Sequence, residues 1–86
     1  MKWLLTHRAW QDYQGAPASV KKAFDKQVHL LAENLQHPSL RAKKYDQAND
    51  IWQARINQNW RFYFQVQGDT YTIIAIIPHP KRVAAA

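Results

Sequence analysis

The sequence predicts an α+β domain: a short N-terminal strand and two helices, packed on one face of an antiparallel β-sheet whose other face is polar. Three observations carry this. Apolar residues recur at helical spacing between Pro17 and Leu35, and the period changes to two from Ile51 to Ile77. Gln58-Asn59-Trp60 and Gly68-Asp69 then cut the second half into hairpin-sized pieces. Connections that short join only antiparallel neighbours.

In order, Lys2 to Leu5 reads as a strand, and the Thr6 hydroxyl is placed to cap a helix from residue 7 to 14 that Gly15 ends. Pro17 suits the first position of a second helix, where no amide hydrogen is needed. Val20, Phe24, Val28, Leu31 and Leu35 fall on one stripe, widened by Ala23 and Leu30, and His37-Pro38 stops the helix. Lys21, Lys22, Asp25, Lys26, His29 and Glu33 occupy its solvated face. From Pro38 to Asp50 no period holds, so Arg41, Lys43, Lys44 and Tyr45 stand in a connecting loop or short strand. Strands are expected at 51–57, 61–67 and 70–77, segments rich in β-branched and aromatic residues. A three-residue loop with Asn59 left-handed joins the first two, and a two-residue turn at Gly68-Asp69 joins the last two.

Hairpin registers turn these strands into surfaces. Pairing Gln67 with Thr70 places Val66 opposite Tyr71, Phe64 opposite Ile73 and Phe62 opposite Ala75. The three-residue loop pairs Ile56 with Phe62, Ala54 with Phe64 and Trp52 with Val66, which keeps one face apolar throughout. The other face collects Gln53, Arg55 and Asn57, then Arg61, Tyr63 and Gln65, then Thr72, Ile74 and Ile76. In this register Arg55 faces Tyr63 and Asn57 faces Arg61. Two guanidiniums beside a phenol and amides suit a phosphate, which they hold through forked, charge-assisted hydrogen bonds. An antiparallel sheet also commonly leaves one face in water, with Arg and Gln as ordinary occupants.

Composition narrows the classes of function. The 86 residues predict one domain, 1–86, with a modest core that four Trp help to fill. Absence of cysteine excludes a disulfide framework and thiolate metal sites, and four scattered His give no metal-ligand spacing. Residues 1–5 are too short an apolar segment for a signal peptide, and the apolar run Ile73 to Ile77 is far below the roughly 20 residues of a membrane helix, so a cytoplasmic protein is expected. Twelve Lys and Arg against six Asp and Glu, a net charge of +6, favour polyanionic partners.

The run His37-Pro38-Ser39-Leu40-Arg41-Ala42-Lys43-Lys44-Tyr45 is followed by Ile51-Trp52-Gln53-Ala54-Arg55-Ile56, Asn59-Trp60-Arg61-Phe62-Tyr63-Phe64 and Ile73-Ile74-Ala75-Ile76-Ile77-Pro78-His79. This combination resembles the RelE/ParE toxin superfamily, across most of the chain and in the same order of elements. The resemblance implies the toxin of a bacterial toxin–antitoxin pair. It implies further, for the RelE-like branch, a metal-independent endoribonuclease that cuts mRNA on the ribosome and needs no cofactor. Arg61 matches the arginine of the second meander strand that contacts the scissile phosphate, and Arg55 a basic position in the preceding strand. His79 matches the position after the last strand that holds a catalytic histidine or another basic residue. His37-Pro38 and Trp60 are similar to YafQ-like members, which makes His37 a second catalytic candidate; where those members carry a further histidine and an aspartate, this chain has Arg55 and Asn59.

The implied reaction is attack of a ribose 2′-hydroxyl on the adjacent phosphate. Histidine suits either proton transfer because its unperturbed pKa, about 6.5, lies near operating pH. His79, Arg61, Arg55 and His37 are therefore the catalytic candidates, and Arg41, Lys43, Lys44, Tyr63, Lys81 and Arg82 the RNA-binding ones. The expected partners are an acidic antitoxin, the ribosome and mRNA. Two other readings share the fold: a ParE-like poison of DNA gyrase, and an RNA-binding member without catalysis, since the terminal Tyr of several active relatives is missing here.

Overall fold

The computed structural model describes residues 1–79. Strand β1, Lys2–Leu5, leads into helix α1, His7–Gly15, and the Thr6 hydroxyl accepts the Ala9 amide at 3.1 Å, as its position before the helix predicts. Helix α2 spans Ala18–Glu33. Pro17 is its N-cap and not its first helical residue, because ψ of 153° keeps Pro17 extended. The helix also ends earlier than expected. Asn34 turns extended and donates its amide to the Leu30 carbonyl, so chain reversal begins before His37-Pro38.

A single 3-10 turn, Pro38–Leu40, follows, and then strand β2, Lys43–Asp46. The segment without sequence period thus contains an edge strand. Strands β3, Ile51–Arg55, β4, Trp60–Gln67, and β5, Thr70–Pro78, complete a sheet of order β1-β5-β4-β3-β2. Every pairing is antiparallel except that of β1 with β5. Helix α2 buries Val20, Phe24, Val28 and Leu31 against Phe62, Phe64, Ile73 and Ile76, with Ala9 of α1 in the same core. Phe24 and Phe62 meet edge-on at 5.2 Å between centroids.

Two registers depart from expectation. In the first hairpin Trp52 pairs with Phe64, Ala54 with Phe62 and Arg55 with Arg61, two residues away from the alternation-based register. The loop is longer than three residues: the Ile56 and Asn57 amides both donate to the Trp60 carbonyl, and the Asn57 side chain accepts the amides of Asn59 and Trp60. Asn59 is not left-handed; among described non-glycine residues only Arg41 and Asp50 have positive φ. A shift of two preserves face parity, so Arg55, Arg61 and Tyr63 remain together on the open face.

The second hairpin starts as predicted, with Gly68 at φ 62° in its turn and Val66 opposite Tyr71 and Phe64 opposite Ile73. A bulge follows. Tyr63 pairs with Ala75 and Phe62 with Ile76, so Ile74 is the extra residue. Ile76 therefore joins the core and Ala75 faces the open side, the reverse of the expected assignment. The cause lies beside β5. Strand β1 ends opposite Ile73, and beyond it the Asp12 carboxylate of α1 accepts the Ile76 amide at 3.0 Å.

Candidate functional site

The open face is built by parity from three strands. Lys43 stands opposite Gln53 on β2 and β3, Gln53 opposite Tyr63, and Arg55 opposite Arg61. His79 arrives from the end of β5, where its amide donates to the Asn59 carbonyl at 2.7 Å and ties the exit of the sheet to the β3–β4 loop. Arg41, Lys43, Gln53, Arg55, Arg61 and His79 line one cavity of about 210 Å³. Four of these six are permanent cations and none is acidic.

Electrostatics in this cavity are dominated by mutual repulsion of cations. Like charges directly opposite on neighbouring strands destabilise a sheet, and Arg55 and Arg61 are such a pair. Burial first, and then the nearby charges of Arg55 and Arg41, push the Arg61 guanidinium below its usual pKa. Its Nη1 donates to the Asn57 and Trp60 carbonyls at 2.7 and 2.9 Å, which aims the fork without neutralising it. A bound anion would offset the repulsion among these cations.

Backbone devices deliver the remaining side chains. Arg41 follows the 3-10 turn at φ 47° and ψ 42°. The buried Gln27 of α2 holds that turn against β3, its amide donating to the Ser39 and Arg55 carbonyls at 3.1 and 2.8 Å. Arg41 and Arg55 also border a larger groove of about 460 Å³ with Lys26.

The other sequence-derived candidates divide. Tyr63 lies on the open face but is buried, with its hydroxyl accepting Gln53 Nε2 at 2.9 Å. His37 lies outside the cationic cavity, in a neighbouring one with Arg41 and Trp52; its Nδ1 accepts the Ser39 amide at 3.2 Å and caps the 3-10 turn. Lys44 points to the side opposite Lys43. There it pairs with Asp50 at 2.6 Å and lies 5.1 Å from the centre of the Trp52 ring. Lys81 and Arg82 lie outside the described residues. Gln53, absent from the candidates by role, lines the cavity, and its signal was its same-face spacing from Arg55.

Among the described residues there is no group of three or more His, Asp or Glu placed to hold a metal ion, and no helix is long and apolar enough to cross a membrane.

Residues 4–83 match the family described as the ParE toxin of the type II toxin–antitoxin system, parDE. No curated protein sequence matches the chain significantly. Among solved structures, the YoeB/ParE toxin from Agrobacterium tumefaciens superposes with a TM-score of 0.78 at 20% identity, over 93% of this chain and all of that one. The heterotetrameric YoeB–YefM toxin–antitoxin complex from Staphylococcus aureus gives 0.74 at 16% identity, over 93% and 98% of the two chains. YafQ from E. coli strain BL21(DE3) gives 0.75 at 11% identity, over 91% and 92%. At these identities the likeness is one of fold.

Proposed function

The chain belongs to the ParE toxin family of type II toxin–antitoxin systems, within the RelE/ParE superfamily, and from the chemistry of its open sheet face we propose that it is an endoribonuclease toxin acting on ribosome-associated mRNA. One observation carries the reading. Arg55 and Arg61 oppose each other directly in a cavity that Arg41, Lys43 and His79 also line, which brings four cations and an imidazole together and supports the reading of a phosphate held beside a proton-transfer group.

The ribose 2′-oxygen attacks phosphorus, the bond to the 5′-oxygen breaks, and the products are a 2′,3′-cyclic phosphate and a free 5′-hydroxyl. One group takes the 2′-hydroxyl proton and another protonates the departing oxygen. His79 performs one of these transfers, each worth about 10² to 10⁴ in rate. Arg61 and Arg55 hold the phosphate and the charge that grows on it, while Arg41 and Lys43 hold the flanking backbone. An acidic antitoxin covers this cationic surface, a reading supported by complexes such as YoeB–YefM.

His79→Ala is expected to slow mRNA cleavage by roughly 10² or more while ribosome binding stays within severalfold, the signature of a group needed in the transition state. Arg61→Ala weakens binding as well as turnover, and Arg61→Lys restores only part because the fork is lost. Single-turnover cleavage on stalled ribosomes reads both. Wild-type cleavage by His79→Ala would remove His79 from the chemistry and make His37 the next residue to test.

The family description itself favours a second reading, a ParE-like gyrase poison that binds and cuts nothing. Inducing the chain in growing bacteria separates the two: cleaved mRNA supports the nuclease, whereas DNA-damage signalling with intact mRNA supports the poison.

A further inference from the structure

Tyr45 is the irregular residue of β2. The register shifts between Lys44 and Asp46, so Tyr45 has no partner on β3. Bulges of this kind re-aim a side chain. Here the ring is lifted onto the open face, 61% exposed, and stands edge-on to buried Tyr63 with centroids 4.9 Å apart. A large aromatic surface is thus held in water by a rigid support.

Beside it lies a shallow cavity of about 220 Å³ bordered by Tyr45, Tyr63, Ile51, Ile74, Ile77 and Arg8. The open face is therefore divided, cationic at one end and aromatic and aliphatic at the other. The two ends are joined by one hydrogen bond, since Gln53 lines the cationic cavity and donates to the hydroxyl of Tyr63. Lys43 and Tyr45 lie two residues apart on β2, about 7 Å along a strand, a separation one nucleotide spans between phosphate and base. Among the described residues no acidic side chain lines either cavity, which suits an anionic strand.

We propose that Tyr45, supported by Tyr63, is the stacking platform for a nucleobase of the same RNA strand whose phosphate sits between Arg55 and Arg61. The inference rests on the reading of that cavity as an RNA phosphate site. Every nucleobase has a face to stack, and among the described residues the only charged one lining the aromatic cavity is Arg8, so this subsite recognises a base as a base with little preference among the four.

The test uses the full chain and a fluorescent single-stranded RNA, with a companion set in which each position in turn lacks its base. For the wild type, one abasic position should weaken binding roughly tenfold. Tyr45→Ala should weaken the parent RNA by a similar factor and then be indifferent to that abasic position, while Tyr45→Trp should keep both the affinity and the abasic penalty. Arg55→Ala reports on the phosphate site alone: if it leaves RNA affinity unchanged, the underlying site reading fails whatever Tyr45 does. If Arg55→Ala weakens binding but Tyr45→Ala stays within twofold, the platform alone is overturned. Persistence of the full abasic penalty in Tyr45→Ala also overturns it. So does a loss confined to antitoxin binding, which would make a protein segment the occupant.

Discussion

Arg41 concentrates the tension between folding and function in one residue. It sits in the left-handed region, which costs a side-chain-bearing residue roughly 1–2 kcal/mol, and it borders the cationic cavity and both grooves beside it. Arg41→Gly relieves that strain but adds unfolded-state freedom worth about 0.4–1 kcal/mol. The melting temperature is therefore expected to stay within about 5 °C while RNA affinity falls. A large loss of stability would show that Arg41 is needed for the fold. The neighbouring lysines separate in the same way. Lys43 faces the cavity, whereas Lys44 is engaged by Asp50 and Trp52, so Lys43→Ala should lower the salt dependence of RNA binding by about 0.7 in log–log slope and Lys44→Ala should not. Equal slopes for the two variants would contradict the geometry.

Between elements, the site depends on polar joints more than on apolar packing. Gln27 projects from α2 and bonds the carbonyls of Ser39 and Arg55, tying the turn that presents Arg41 to the strand that presents Arg55. Gln27→Leu conserves volume but strips those bonds, at about 1–3 kcal/mol for a buried group left unpaired. Thermal unfolding should shift down by several degrees, and RNA affinity should fall although Gln27 is buried away from solvent. Unchanged affinity in a destabilised protein would show that the turn holds its place without this joint. Asp12 plays the corresponding part for β5. By accepting the Ile76 amide where β1 no longer runs alongside, it accompanies the bulge that carries Ile76 into the core and His79 toward the cationic cavity.

At the scale of the molecule, four of the twelve Lys and Arg, namely Arg41, Lys43, Arg55 and Arg61, gather at one end of one sheet face, and the proposed acidic antitoxin would cover it. Co-expression of the small acidic protein from the adjoining gene at equal level should abolish growth arrest, and purified complex should elute as one species that high salt weakens. Continued arrest would count against an acidic antitoxin. How much of this was written in the linear sequence differs by interaction. Local chemistry was enough for the Thr6 cap, the Gly68 turn, the stripe of α2 and the strand alternation, because each depends on neighbours within a few positions. Alternation also determined which face Arg55, Arg61 and Tyr63 share, since a register error of two leaves parity unchanged. It could not determine who faces whom. That rests on the length of the Asn57 loop, and the consequence is Arg55 against Arg61 in place of Arg55 against Tyr63. Nor could five consecutive apolar residues, Ile73 to Ile77, declare their faces, because a run without alternation is compatible with either parity. The tertiary structure decided it through a carboxylate 64 residues upstream, and long-range hydrogen bonds of that kind leave no period in the sequence to read.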